Sequence, residues 1–169
     1  MSKVYQKIEL TANILIIVVA VLIAGVFAQR YFFPNTSHSP ERKTPTIGNK
    51  ISDTDFDWSK SGKNVLLVLS KGCKYCAESA GFYKQLIRQT QDKNVKVTAV
   101  LPQTKEEAET YLNELGISGI EIKQSSLDSL NVGGTPTIIV ADDKGEISDV
   151  WMGKLPPEKE TEVINKLIM

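Results

Sequence analysis

Residues 65–69 of this chain read VLLVL, and residues 72–76, just beyond them, read GCKYC. A continuous apolar run of this length is typical of a strand that is covered on both faces of a sheet. The residues that follow, up to about Thr90, have the apolar period of a helix. One face of this predicted helix carries Ala80, Tyr83, Leu86 and Ile87. The chain therefore predicts a buried strand, a turn with two cysteines and a helix, in that order.

The elements after this helix alternate in the same way. Residues 95–101 predict a strand, and a capping box at residues 104–107 begins a helix that should end at Gly116. Residues 137–141 and 146–152 predict two strands of a hairpin, and the last helix should begin at two prolines, Pro156 and Pro157. A short helical turn is expected over residues 125–130, between the helix that ends at Gly116 and the strand at residues 137–141. The order predicts an α/β fold in which the first two strands are parallel and the last two antiparallel.

The first 33 residues predict a membrane anchor. Residues 10–28 carry no charged side chain. A helix over this range would span about 28 Å, close to the ~30 Å hydrocarbon core of a bilayer. Lys3 and Lys7 precede the segment and Arg30 follows it, which favours a cytoplasmic N-terminus. The alternative is a signal peptide that is cleaved near Ala28. Both interpretations send the rest of the chain across the membrane, to an extracytoplasmic or secreted location.

Residues 34–50 separate the predicted anchor from the predicted domain. They contain three prolines and no hydrophobic period, which is typical of a polar linker. The folded domain is then expected over residues 51–169, which is long enough to bury a core without additional cross-links.

The composition excludes several functions. The chain has 20 basic and 20 acidic residues and a formal net charge of zero, which argues against a nucleic-acid partner because such binding needs a basic excess. Two cysteines cannot form a disulfide-rich mini-protein. With a single histidine, His38, far from both cysteines, the chain cannot complete a four-ligand zinc site. We therefore expect neither a metal nor a cofactor.

Cys73 and Cys76 lie where the first predicted helix begins. Backbone N–H groups at a helix N-terminus favour a thiolate, and Lys71 and Lys74 add positive potential beside Cys73. Cys76 is one turn further along, where its sulfur can attack a mixed disulfide on Cys73. The spacing predicts thiol–disulfide exchange, with Cys73 as the nucleophile and Cys76 as the resolving cysteine. A purely structural disulfide is the alternative, although so short a loop constrains the unfolded chain little.

These residues, together with a second motif, resemble the thioredoxin superfamily. Residues 134–137 (GTPT) precede a predicted strand and match the family's cis-proline loop, with Pro136 in the proline position. The resemblance covers nearly all of residues 51–169 and implies a thioredoxin-like fold, which is a mixed central sheet flanked by helices. It also implies that the loop offers its backbone to an extended substrate segment, and that Thr135 lies against the sulfurs and tunes them. Tyr75 is a candidate for contact with substrate.

Within the superfamily, the anchor and the helix at residues 104–116 make the chain similar to the extracytoplasmic TlpA/ResA-like branch. This similarity implies a single-pass, membrane-tethered oxidoreductase on the outer side of the cytoplasmic membrane. Its partners would be cysteine-containing exported proteins, including apocytochromes, and a membrane or soluble thiol electron donor. Lys74 should favour the thiolate and make the cysteine pair more oxidising, whereas anchored relatives mostly act as reductants. We expect a reductase.

Four positions depart from the family pattern. Gly72 precedes Cys73, where the family usually has Trp or Phe, and Leu67 replaces the buried acid of thioredoxin. Ser79 replaces an acid that often follows the second cysteine in the TlpA-like branch, and Gly81 replaces a helix-kinking proline and could permit a similar bend. Glu78 is therefore the candidate proton relay for Cys76.

Two other functions stay open at this point. One is a thioredoxin-fold peroxidase or antioxidant protein, although residues 70–73 (SKGC) match a peroxidatic Thr-x-x-Cys site only loosely. The other is a redox-inactive thioredoxin-fold module that holds a partner at the membrane. Trp58 and Trp151 are expected to pack in the core or at its edge rather than to stack on a substrate.

Overall fold

The computed structural model describes residues 15–23, 43–51 and 56–169. It divides into two units, Met1–Glu41 and Arg42–Met169. In the first unit, residues 15–23 form a helix, α1, whose side chains are exposed. No helix within the described ranges is long and apolar enough to cross a membrane. Because much of the predicted span over residues 10–28 lies outside the described residues, the anchor stays a prediction.

The second unit contains the strands and helices that the sequence predicts, together with a further strand and a short 3-10 helix. In chain order, its described elements are a 3-10 helix at Trp58–Lys60, β1 at Lys63–Val68, α2 at Lys74–Glu78, α3 at Ala80–Thr90, β2 at Val95–Leu101, α4 at Lys105–Glu114, β3 at Glu121–Gln124, β4 at Thr137–Ala141, β5 at Ile147–Met152 and α5 at Pro157–Ile168. The unpredicted strand is β3. The short helical turn predicted over residues 125–130 is found as turns at residues 127–131, and none of these residues lies in a helix.

The five strands described in this unit form one mixed sheet in the order β3-β2-β1-β4-β5. The pairs β1–β2 and β2–β3 are parallel. The pairs β1–β4 and β4–β5 are antiparallel. The predicted parallel first half and antiparallel hairpin are thus confirmed. The apolar run of β1 fits its place at the centre of the sheet.

Side chains of β1 alternate between two cores, one on each face of the sheet. Val65, Leu67 and Leu69 enter the larger core, which also contains residues of α3, α4 and α5. Leu66 and Val68 enter the smaller core on the other face. Because both faces are covered, the strand needs no polar positions, which explains its unbroken apolar sequence.

Both tryptophans pack against these cores, as expected. Trp151 contacts the larger core, and Trp58 contacts the smaller one. The ring of Trp58 stacks on that of Phe56, with centroids 4.9 Å apart.

Residues 43–51 lie against the domain through backbone hydrogen bonds. The Gly133 N–H donates to the Lys43 carbonyl oxygen at 2.6 Å, and the Gly48 N–H donates to that of Ile147 at 2.8 Å. The Ile147 N–H donates to the Asn49 carbonyl oxygen at 2.9 Å, and the Ile51 N–H donates to that of Gly145 at 3.0 Å. The contacts of the domain therefore begin before residue 51, the predicted boundary. Backbone pairing of this kind leaves no side-chain period in the sequence, so the segment has the composition of a linker.

Candidate active site

The turn that presents the first cysteine is fixed from two sides. Gly72 has φ +81°, a left-handed conformation that favours glycine. The Cys73 N–H donates to the Ser70 carbonyl oxygen at 3.1 Å. The side chain of Gln103, beyond β2, accepts from the Lys71 N–H at 3.3 Å and donates to Ser70 Oγ at 3.3 Å. Gln103 thus joins the turn to the neighbouring strand's end.

Cys73 and Cys76 are joined in a disulfide, with their Cα atoms 5.2 Å apart. Cys73 is the N-cap of α2, as predicted, and its Sγ accepts a hydrogen bond from the Cys76 N–H at 3.1 Å. The two sulfurs differ in access, since Cys73 is half-buried whereas Cys76 is fully buried. An incoming thiol or disulfide can therefore reach Cys73 and not Cys76.

The loop before β4 lies directly against the accessible sulfur. The Thr135–Pro136 peptide bond is cis, in agreement with the motif. The carbonyl oxygen of Thr135 is 3.4 Å from Cys73 Sγ. A thiol at Cys73 can donate to this oxygen, whereas a disulfide sulfur has no proton to give. On its other side the loop is held by the Gly153 N–H, which donates to the Pro136 carbonyl oxygen at 2.7 Å.

Glu78 lies at the end of α2 between two lysines. Its Oε2 accepts from Lys154 Nζ at 2.8 Å, and its Oε1 is 3.8 Å from Lys74 Nζ. The hydrogen bond from Lys154 is the main reason that the pKa of Glu78 lies below its usual value. The same bond raises the pKa of Lys154. Glu78 is thus an ionised carboxylate at neutral pH.

The outer rim of the site carries the exposed residues of the motif. Lys74 and Tyr75 both point to solvent, with 82% of the Lys74 side chain and 56% of Tyr75 exposed. Lys71, on the other side of Cys73, is 3.8 Å from Glu107 of α4. Whether Lys74 and Tyr75 contact substrate stays a prediction.

The interior beneath the disulfide contains no acid among the described residues. The side chains classed as both buried and polar are Asn64, Ser79, Thr90, Thr98 and Thr137. Leu67 is fully buried in the larger core, at the position where thioredoxin has its acid. Tyr83 is also buried there, and this burial raises its pKa to about 12. The interior is therefore uncharged at neutral pH.

The helix that follows the cysteines is broken, but not at Gly81. Ser79 has φ −92° and ψ 4°, which separates α2 from α3, and Gly81 lies inside α3. The expectation of a bend at Gly81 is therefore wrong by two residues. The break follows from the backbone of Ser79, whose carbonyl still accepts from the Tyr83 N–H at 3.1 Å.

Two residues of the site, Gln103 and Lys154, were not predicted. They lie 32 and 76 residues from their partners Lys71 and Glu78. A polar residue in a loop has no pattern that singles it out, so only the fold could reveal them.

No protein-family model matches the chain, and no curated protein matches it. Solved structures do match. The thioredoxin domain of a thiol-disulfide oxidoreductase from Bacteroides vulgatus has a TM-score of 0.56 and 17% identity, covering 75% of this chain and 98% of that one. A thiol-disulfide isomerase from Corynebacterium glutamicum has a TM-score of 0.54 and 18% identity, over 74% and 94%. StoA from Bacillus subtilis has a TM-score of 0.52 and 18% identity, over 71% and 97%. With its mixed sheet, its cysteine pair at the start of α2 and its cis proline before β4, this chain has the thioredoxin-like fold.

Proposed function

We propose that this protein is a thiol–disulfide oxidoreductase that exchanges disulfides with cysteine-containing proteins. The observation that carries the proposal is the Cys73–Cys76 disulfide, whose accessible sulfur lies 3.4 Å from the Thr135 carbonyl oxygen in the cis-proline loop. One sulfur is open to a partner and the other is enclosed, which is the asymmetry that a nucleophile and a resolving group need. The fold's similarity to the thioredoxin domain of a thiol-disulfide oxidoreductase and to a thiol-disulfide isomerase supports the same activity.

In the reducing direction, the cycle starts from the dithiol. The Cys73 thiolate attacks one sulfur of a substrate disulfide, a mixed disulfide forms, and the other substrate sulfur leaves as a thiolate. Cys76 then loses its proton and attacks Cys73 Sγ, which restores the Cys73–Cys76 disulfide and releases the second substrate thiolate. Two electrons pass from the protein to the substrate. A dithiol donor, soluble or in the membrane, returns the protein to its reduced form by the same exchange.

The residues around the sulfurs have separate parts in this cycle. The Cys76 N–H supports negative charge on Cys73 Sγ through its hydrogen bond. Thr135 and Pro136 present the loop backbone along which an extended substrate segment pairs. Glu78, whose pKa Lys154 lowers, is the carboxylate on α2 that accepts the proton from Cys76 through water, since Cys76 is buried and Glu78 is exposed.

The proposed location is the outer side of the cytoplasmic membrane. An oxidising compartment suits a disulfide at Cys73–Cys76, and the uncharged sequence at residues 10–28 suits a single-pass anchor or, as the alternative, a cleaved signal peptide. Exported proteins with cysteines, apocytochromes among them, are the substrates that this location supplies. Reduction is the direction we propose.

Trapping tests this function. In the Cys76→Ser variant the resolving step is absent, so a mixed disulfide between Cys73 and substrate should accumulate and be visible on a non-reducing gel. The matched control is the double variant Cys73→Ser/Cys76→Ser, which should trap nothing. The wild type should reduce insulin disulfides, and each single variant should lose this turnover. Turnover that survives Cys73→Ser would contradict the assigned nucleophile.

The same assays separate the alternatives. Turnover of peroxide without turnover of protein disulfides would favour the peroxidase. Inactivity towards both would favour a redox-inactive module that binds a partner.

A further inference from the structure

Three lysines lie on the segments around the cysteine pair: Lys71 is two residues before Cys73, Lys74 is the residue after it, and Lys154 binds Glu78 of α2. We call Lys71, Lys74 and Lys154 the rim lysines. We propose that the rim lysines select substrate cysteines that have acidic residues beside them in the chain. The proposal rests on the proposed function and adds the chemical class of its substrates.

Lys74 carries an incompletely balanced charge. It follows Cys73 directly, and 82% of its side chain is exposed. Its partner in the structure, Glu78, is 3.8 Å away and is already bound by Lys154 at 2.8 Å. One carboxylate therefore faces two ammonium groups, and Lys74, the residue after Cys73, is the less tightly paired of the two.

Lys71 carries a weakly held charge on the other side of Cys73. Its side chain is 54% exposed, and its Nζ is 3.8 Å from Glu107 Oε1, at the outer limit of an ion pair. Exposed pairs with this geometry contribute little and exchange partners easily. Within 4 Å the rim lysines contact two carboxylates, those of Glu78 and Glu107, and Glu160 acts on Lys154 from a longer distance. Lys71 and Lys74, whose own pairs are 3.8 Å long, are therefore the two that a substrate carboxylate can engage.

The reaction itself brings such a carboxylate within reach. A substrate sulfur must come within bonding distance of Cys73 Sγ, and neighbouring residues of an extended chain are roughly 3.5 Å apart. The residues one or two positions from the substrate cysteine therefore pass beside the side chains of Lys71 and Lys74. Tyr75, which is 56% exposed, adds an aromatic ring that can pack against apolar side-chain atoms of the same substrate segment.

Lys74 would also favour the Cys73 thiolate with every substrate, so a change in overall rate does not test the proposal. The informative quantity is the ratio of kcat/KM between substrates that differ only in charge. A uniform effect on the thiolate cancels in this ratio, whereas a contact between Lys74 and a substrate carboxylate does not.

The experiment uses the full chain and three disulfide peptides that are identical except for the residues flanking the cysteine, which are glutamate, glutamine or lysine. For the wild type we expect kcat/KM to decrease in that order, with roughly a three- to tenfold ratio between the acidic and basic peptides at low salt, since each exposed pair is weak. The ratio should approach one at about 1 M salt, where charges are screened beyond ~3 Å.

Two variants with the same net charge complete the test. Lys74→Glu should remove or invert the preference. Lys93→Glu is the matched control, because Lys93 lies between α3 and β2, near the start of β1 and not near the cysteines at its end. For Lys93→Glu, the ratio of kcat/KM between the acidic and basic peptides should remain that of the wild type.

The outcomes separate the two proposals. If the neutral peptide is turned over but all three peptides react equally, the charge preference is overturned and the proposed function stands. An unchanged ratio in Lys74→Glu, with all rates lowered, also overturns it, because Lys74 would then act on the thiolate alone. If no peptide is turned over, the proposed function fails and this inference fails with it.

Discussion

Lys154 Nζ lies 2.8 Å from Glu78 Oε2, so an ion pair joins the loop after β5 to the helix that carries Cys76. The preceding residue, Gly153, donates its N–H to the carbonyl oxygen of Pro136 at 2.7 Å. One short loop thus contacts both the cysteine-bearing helix and the cis-proline loop. The two parts of the candidate active site, far apart in sequence, are held by the same segment.

Removing this lysine should raise the pKa of Glu78. In Lys154→Met the main hydrogen bond that lowers the pKa is lost and the weaker interaction with Lys74 remains, so the pKa should move back towards 4.5. When the pKa of a carboxyl is lower in the folded than in the unfolded chain, its ionised form stabilises the fold at pH values above the unfolded pKa. This stabilisation is lost as the pH falls through the folded pKa. Carbon-detected NMR titration of Glu78 measures the change.

The control for that titration is Lys159→Met, which removes a 2.6 Å pair with Glu162 on α5. It should leave the titration of Glu78 unchanged. A Glu78 pKa that is identical in the wild type and in Lys154→Met would show that the ion pair does not persist in solution.

The segment at residues 43–51 should be protected from hydrogen exchange. The amides of Gly48, Ile51 and Gly133 donate to carbonyl oxygens across the contact between this segment and the domain. A hydrogen-bonded amide exchanges only when its bond opens, so these three should exchange more slowly than free peptide amides. Exchange measured by NMR on the full chain tests this, and rates equal to those of an unstructured peptide would show that the segment is a free linker.

The sequence was sufficient to predict most of the fold, because the elements near the sheet's centre follow strong apolar periods. The edge strand β3 was missed, since its sequence, EIKQ, is short and has only one apolar residue, Ile122. It is a strand because it pairs with β2 in parallel register, with Glu121 opposite Thr98 and Ile122 opposite Ala99. The strand conformation of β3 therefore depends on backbone pairing with β2 rather than on an apolar pattern of its own.

The site was predictable only where chemistry and local sequence coincide. The cysteines and Pro136 belong to short motifs, and both were found. Gln103 and Lys154 were not found, because their roles come from contacts with residues far away in the sequence, Lys71 for Gln103 and Glu78 for Lys154. Glu78 was selected for its proximity to Cys76, but the lowering of its pKa comes mainly from Lys154 and could not be derived from the sequence.

A side chain at Gly145 should destabilise the fold. It has φ +76°, and a Cβ atom there would lie 2.8 Å from Trp58 Nε1 and 2.9 Å from Cε2. Gly119 is the matched control, with the same φ and open space around it. Gly119→Ala should cost only the left-handed backbone term, about 1 kcal/mol. Gly145→Ala should cost about 1–3 kcal/mol more, because the indole ring must move. Urea denaturation of both variants measures the difference, and equal losses would contradict the contact.

The buried phenol of Tyr83 should make the fold less stable in alkali. Its pKa is raised to about 12, mainly by burial, from an ordinary value of 10.0. Between these values the unfolded chain loses the phenol proton while the folded chain keeps it, so the free energy of unfolding falls as pH rises, by up to about 1.4 kcal/mol per pH unit. Tyr83→Phe should reduce this slope and leave the contribution of Tyr111, whose pKa burial also raises, whereas Tyr75→Phe, at an exposed position, should retain the whole slope. Urea denaturation at pH 9 to 11.5 gives the slopes, and identical slopes in wild type and Tyr83→Phe would show that the phenol is not buried in solution.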